Sequence, residues 1–148
     1  MGKYKLNIPL KDNFAKTKIA VIVPYFNEDI GLKLYRKTAA ELTRCGVKKQ
    51  NIALVRVPGS LEIPLAASRI AQKKSHNAII ALGVVIKGET DHFKHVSRET
   101  YNGIMKISLK YGIPIVAGVL TVNNKKQVIE RIKKGADFAR NALFMSKL

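Results

Sequence analysis

Apolar and polar positions along this chain switch repeatedly between two rhythms. Residues 17–23 form a short β-branched run, and from Asn27 onward the spacing becomes helical. Ile30, Leu34, Thr38, Leu42 and Cys45 then fall on one helix face. Asn27 is the expected N-cap, Glu28 and Asp29 suit the positive end of the helix, and Gly46 supplies the stop. The unit repeats. Residues 51–57 read as a strand ended by Pro58-Gly59, and Leu61, Pro64, Leu65, Ile70 and Ala71 suit an amphipathic helix starting near Ser60. Residues 78–86 are apolar without alternation, as expected of a central strand covered on both faces of a parallel sheet. Val96, Ile104, Ile107 and Tyr111 then carry a helix closed by Gly112 and Pro114. A fourth strand over residues 115–120 leads through Asn123-Asn124 into a last helix striped by Val128, Ile132, Ala136, Ala139 and Leu143.

Four strand-helix units in series predict an α/β protein, a three-layer α/β/α sandwich around a four-stranded parallel sheet, because parallel neighbours need crossover helices. Residues 17–148 make the single expected domain, and residues 1–16 form an arm whose positions 4–8 could add a strand to this sheet or a neighbour's. The length of 148 residues suits one core. The longest apolar runs fall far short of the roughly 20 residues that span a bilayer. Met1-Gly2-Lys3 leads into polar, proline-broken sequence, so no secretory signal is expected. A single cysteine, Cys45, excludes an internal disulfide framework and a multi-cysteine metal site. These features predict a cytoplasmic protein with no membrane partner.

Lys and Arg number 27 against 10 Asp and Glu, a formal charge of +17 that draws anionic partners: phosphorylated metabolites, nucleic acid or acidic lipid. The basic residues are scattered as pairs, Lys48-Lys49, Lys73-Lys74, Lys125-Lys126 and Lys133-Lys134, where helix ends and loops are expected. That dispersal reads as solvated surface more than as a nucleic-acid stripe.

In open α/β sheets, ligands collect beyond the carboxyl ends of the strands. The segments there are Tyr25-Phe26-Asn27, the stretch Pro58 to Glu62, the stretch Lys87 to His92, and Leu120-Thr121-Val122-Asn123. They offer an aromatic face, a carboxylate, hydroxyls, glycines and an imidazole, a small-molecule pocket in outline. Gly88-Glu89-Thr90 is expected to open a helix whose amides and dipole suit a phosphate. His92 follows on the first turn, where an ordinary imidazole can move protons at neutral pH. Phe26 suits stacking on a planar heterocycle or packing against its helix, and Glu62 suits hydrogen bonding to a ligand or the helix N-terminus. His76 and His95 lack comparable placement, no third metal ligand has sensible spacing, and Cys45 reads as a structural thiol. Phosphate-loop, dinucleotide-binding and nucleophile-elbow motifs are absent from the sequence.

At these segments the sequence resembles the lumazine synthases. Phe26-Asn27, the block Val57-Pro58-Gly59-Ser60-Leu61-Glu62-Ile63-Pro64, and the block Gly83-Val84-Val85-Ile86-Lys87-Gly88-Glu89-Thr90-Asp91-His92-Phe93 carry the likeness. Gly112-Ile113-Pro114, Gly118-Val119-Leu120-Thr121 and Ile129-Glu130-Arg131 continue it in order, over residues 18–143. The resemblance implies a flavodoxin-like fold and the penultimate step of riboflavin biosynthesis. In that step 5-amino-6-ribitylaminouracil and 3,4-dihydroxy-2-butanone 4-phosphate give 6,7-dimethyl-8-ribityllumazine, phosphate and water, with no metal or organic cofactor.

Carried over by position, the resemblance implies that Phe26 stacks on the pyrimidine. Ser60, Leu61 and Glu62 meet the ribityl chain, and Val84, Val85 and Ile86 line the ring site. Gly88, Glu89 and Thr90 cradle phosphate with Arg131, and His92 shuttles protons. It implies a homopentamer or a pentamer-based shell, with Arg131 and the segment around Ala117 reaching a neighbour's pocket, and a functional link to riboflavin synthase. Leu61 stands where the family commonly has Phe, and Ala117 where an aromatic often caps the heterocycle. The segment after Arg131 is shortened, leaving Lys134 to stand for the family's second phosphate-binding lysine. Two other readings stay open beside this one: a basic nucleic-acid-binding or ligand-storing oligomer, and a flavodoxin-type carrier of flavin phosphate.

Overall fold

A computed structural model describes Tyr4, Leu6 and residues 13–148. The expected arm strand at positions 4–8 lies outside the described residues apart from Tyr4 and Leu6. The strands are β1 (Ile19–Pro24), β2 (Ile52–Val57), β3 (Ala78–Ile86) and β4 (Ile115–Val122). They pair in parallel in the order β2-β1-β3-β4, with Ile19 opposite both Ile52 and Ala78, and Ile79 opposite Ile115. The helices are α1 (Glu28–Arg44), α2 (Ile63–Gln72), α3 (His92–Tyr111), α4 (Lys125–Arg131) and α5 (Gly135–Ser146). This is the expected α/β/α sandwich around a four-stranded parallel sheet.

Pleating divides the inner strands between two cores, because successive side chains point to opposite faces. Val21, Val23, Ile80 and Leu82 pack with Leu34 and Leu42 of α1 and with Ala139 and Leu143 of α5. Ala20, Ile22, Ile79 and Ala81 pack with Ile63 and Ala67 of α2 and Ile104 of α3. Both faces of β1 and β3 are therefore covered, which explains why their sequences show no polar alternation. Among the described residues no helix is long and apolar enough to cross a membrane.

Glu41, nearly buried on α1, ties this helix to α5. Its carboxylate accepts from Arg44 at 2.6 and 2.8 Å and from Arg140 at 2.7 Å. The Arg44 guanidinium, reinforced by Arg140, lowers the Glu41 pKa to about 2 against the opposing effect of burial. Burial, with the Glu41 carboxylate pushing the same way, raises the Cys45 thiol above its ordinary range and so favours its protonated form.

Away from the cavity loops, the structure departs from the sequence pattern in the last helix and in α2, and at the start of α1. The single last helix is two, α4 and α5, joined by a 3-10 turn over Ile132–Lys134. The bend lets Gly135 press against α1 so closely that a Cβ there would lie 2.9 Å from the Leu34 carbonyl oxygen. Helix α2 starts at Ile63 after a 3-10 turn over Ser60–Glu62, and it buries Ile63, Ala67 and Ala71. Leu61 and Leu65, placed on its apolar face by spacing alone, are instead exposed. Asn27 is not a side-chain cap, for reasons that belong to the site.

Candidate active site

Chain direction reverses between β1 and β3. From β1 the path goes outward to β2, then crosses back over β1 to β3 and continues to β4. The loops leaving β1 and β3 therefore diverge, opening a crevice at their carboxyl ends, the site where α/β sheets bind ligands. A cavity of about 380 Å³ lies there, within the range of small-molecule sites.

Backbone hydrogen bonds set its walls. Tyr25 N–H donates to the Val57 carbonyl at 2.8 Å and Phe26 N–H to Pro58 at 3.1 Å, so the loops after β1 and β2 are zipped together. Phe26 is thereby left 73% exposed with its ring on the cavity rather than in the core. Asn27 adopts a left-handed backbone, φ 57, which Asn tolerates better than most residues. Its backbone carbonyl accepts from Ile30 and Gly31 to start α1, while its side-chain amide donates to the Val84 carbonyl at 3.1 Å. The amide thus bridges the crevice instead of capping the helix.

The floor comes from β3 and the turn before α2. Val84, Val85 and Ile86 line it, and Ser60 sits almost buried beside them. A Cβ on Gly83 would lie 3.1 Å from the Ser60 hydroxyl oxygen, so glycine leaves the room that hydroxyl occupies. Glu62 accepts from Gly59 N–H at 2.8 Å through one carboxylate oxygen, which holds the 3-10 turn. That bond fulfils the helix-start reading of Glu62 and also fixes the carboxylate at the cavity wall.

Gly88, Thr90 and His92 form the third side. The sequence placed the opening of α3 at Gly88-Glu89-Thr90, whereas the helix begins at His92 with Asp91 at the cap position. The Thr90 hydroxyl accepts from His92 N–H at 3.4 Å, a long contact that sets Thr90 against the first helical turn. Asp91 pairs with Lys94 at 3.0 Å, and that pairing holds its carboxyl below the ordinary range.

Gly59 of the Pro58 to Glu62 segment lines the cavity, and so do Phe93 and Val96, which were not singled out as pocket residues from sequence. The signal was available, since residues 92, 93 and 96 share one helix face. Glu89, Ala117, Arg131 and Lys134 do not line it. Ala117 is exposed on β4, opposite Ala81. Arg131 ends α4, and Lys134 is exposed in the turn that follows. Val128 of α4 belongs to the α1–α5 core, whereas Phe93 and Val96 pack with the α2–α3 core. The helix bearing Arg131 therefore packs on the opposite sheet face from the helix bearing His92. Among the described residues no group of three His, Cys, Asp or Glu could hold a metal ion.

Comparison with known proteins agrees with this geometry. The family model for 6,7-dimethyl-8-ribityllumazine synthase matches residues 16–148. Curated relatives bearing that name include one from Coxiella burnetii (strain RSA 493 / Nine Mile phase I), 42% identical over 88% of this chain and 90% of its own. Another, from Buchnera aphidicola subsp. Schizaphis graminum, is 43% identical over 90% of this chain and 87% of its own. A third, from Paraburkholderia phymatum, is 44% identical over 88% of this chain and 77% of its own. With the family model covering nearly the whole domain and three such relatives covering most of the chain, the chain belongs to the 6,7-dimethyl-8-ribityllumazine synthase family of transferases.

Proposed function

We propose that this protein condenses 5-amino-6-(D-ribitylamino)uracil with 3,4-dihydroxy-2-butanone 4-phosphate to give 6,7-dimethyl-8-ribityllumazine, phosphate and water, in riboflavin biosynthesis. The observation carrying this reading is the convergence of Phe26, Ser60, Glu62, Val84, Val85, Ile86, Gly88, Thr90 and His92 on one cavity.

The exposed Phe26 ring offers one face to the pyrimidine, and the apolar ends of β3 receive its edge. Ser60 Oγ and the second Glu62 oxygen suit the hydroxyls of the ribityl chain. Gly88 brings backbone close to the phosphate, and Thr90 adds a hydroxyl donor. Glu89 sits between Gly88 and Thr90 in sequence, and its place in that cradle rests on the family resemblance. His92 takes a proton as the substrate amine attacks the ketone, then returns one to the departing oxygen as water leaves and the imine forms. The same imidazole assists removal of the proton that accompanies phosphate elimination and the final ring closure. Much of the acceleration comes from holding two substrates in register.

The phosphate needs a guanidinium that one chain does not bring to its own cavity. Arg131 and Lys134, held on the other sheet face, therefore serve the cavity of an adjacent copy, and Ala117 belongs to the surface facing it. Exposed apolar side chains support such assembly. Tyr101, Met105 and Leu109 repeat every four residues along α3, with Leu61 exposed in the 3-10 turn and Leu65 exposed on α2. The assembly is a homopentamer or a shell built from pentamers, located in the cytoplasm and working beside riboflavin synthase. Mixing the protein with both substrates should produce a fluorescent lumazine; no product at micromolar protein would overturn this reading.

A further inference from the structure

The opposite end of the sheet gathers charge that the proposed chemistry does not use. The segments entering β1, β2 and β3 read Lys16-Thr17-Lys18, Lys48-Lys49-Gln50-Asn51 and Lys73-Lys74-Ser75-His76-Asn77, and α3 delivers Lys110 ahead of β4. All seven lysines are exposed. Among the described residues, the ion pairs all involve other cations. Residues 13–27, 42–61, 63–88 and 100–129 contain no Asp or Glu, so these segments carry no carboxylate of their own.

Pairs scattered in sequence are thus adjacent in space, because parallel strands all start at one edge of the sheet. At about 4.8 Å between neighbouring strands, the four entries span about 14 Å. Hydrogen bonds fix the row. Lys18 N–H donates to the Asn77 side-chain oxygen and Asn77 N–H to the Lys18 carbonyl, each at 2.8 Å. The Asn51 amide donates to the Ala15 carbonyl at 3.0 Å, joining the β2 entry to the β1 entry.

Within the row lies a hollow of about 300 Å³ lined by Lys18, Gln50, Asn51, Ala53, Ser75 and His76. Burial, with Lys18 and Lys73 beside it, pushes the His76 imidazole below its ordinary range, and the charge of both lysines reaches this hollow. Lys74 holds a left-handed backbone, φ 52, at a helix end where glycine is the easier residue.

We propose that the amino-terminal face of the sheet binds the phosphate backbone of nucleic acid. The hollow seats one phosphate near Lys18 and Lys73, and the flanking lysines meet its neighbours along the strand. A row about 14 Å wide exceeds a single phosphate and suits several contacts at once. The three entry segments present no apolar or aromatic side chain apart from the imidazole of His76, so binding reads charge and not sequence and gives a bilayer nothing to anchor.

Fluorescence anisotropy of the full-length protein with a labelled DNA duplex of about 20 base pairs tests this, with salt raised from about 0.05 to 0.2 M. The triple variant Lys18→Gln, Lys49→Gln, Lys73→Gln should bind at least about tenfold more weakly and lower the salt slope by about 2–3. Arginine at the same three positions should retain binding. A control triple with the same charge change, Lys33→Gln, Lys37→Gln, Lys106→Gln, should stay within about threefold of the unmodified protein. The proposal is overturned by equal losses in both triples, by no binding at the lowest salt, by displacement with millimolar inorganic phosphate, or by preference for phosphatidylserine vesicles.

Discussion

The Asn27 side-chain amide donates to the Val84 carbonyl at 3.1 Å, across the crevice where the crossover connections change direction. One bond therefore joins the loop that presents Phe26 to the strand that floors the cavity. Asn suits this position twice over, since it accepts a left-handed backbone and carries the donor.

Substitution at Asn27 separates these roles. Asn27→Gly keeps the backbone easy but removes the bond, so stability should change by less than about 1 kcal/mol while affinity for the ribitylaminouracil falls several-fold. Asn27→Ala should lose both, with an added destabilisation of about 1 kcal/mol from the strained backbone. Calorimetric unfolding and ligand titration on the two variants check this; equal affinity in Asn27→Gly would show that the bond does not position the site.

Replacing His92 with Ala should slow turnover by about 10² while the oligomeric mass is unchanged. The residue lies in the first turn of α3, away from the Tyr101, Met105 and Leu109 stripe. Steady-state rates with light scattering read both effects, and unchanged turnover would remove His92 from proton transfer.

Glu41 makes stability depend on acid. Its folded pKa is lowered from 4.5 to about 2, so its contribution is fully present above about pH 4.5 and is lost as the pH falls through 2. Glu41→Gln should be less stable by about 2 kcal/mol at neutral pH, with a flatter loss of stability across that acid window. Denaturant unfolding at pH 7 and at pH 3 measures the difference; parallel profiles for the two proteins would contradict it.

Much of the fold was legible because each element announces itself locally. The uninterrupted apolar run of β3 and the four-residue recurrence of Ile30, Leu34, Thr38 and Leu42 needed no tertiary knowledge. What escaped depended on neighbours distant in sequence. Leu65 fits an apolar stripe by period, yet α2 turns Ile63, Ala67 and Ala71 inward and leaves Leu65 out. The break before α5 follows from Gly135 meeting α1, nearly a hundred residues earlier in the chain. Asn27 looked like a helix cap because its partner, the Val84 carbonyl, is a backbone group that leaves no trace in sequence. The cavity residues were legible for a simpler reason: strand ends in an open parallel sheet are placed by topology, and that follows from the order of elements.

Arg131 is the test of a shared site. Arg131→Ala alone should chiefly raise KM for the phosphorylated ketone; a change confined to the uracil substrate would contradict its assignment to phosphate.

The most direct measurement unfolds His92→Ala and Arg131→Ala together in equal amounts, refolds them as mixed oligomers, and compares their rate, at a phosphorylated-ketone concentration well below the unmodified KM, with each variant refolded alone. If every cavity takes its imidazole from one copy and its guanidinium from the next, random mixing rebuilds about one intact site in four, and about a quarter of the unmodified activity should return. A rate no greater than the average of the two variants would mean that the groups do not meet across a subunit contact, and would contradict the account.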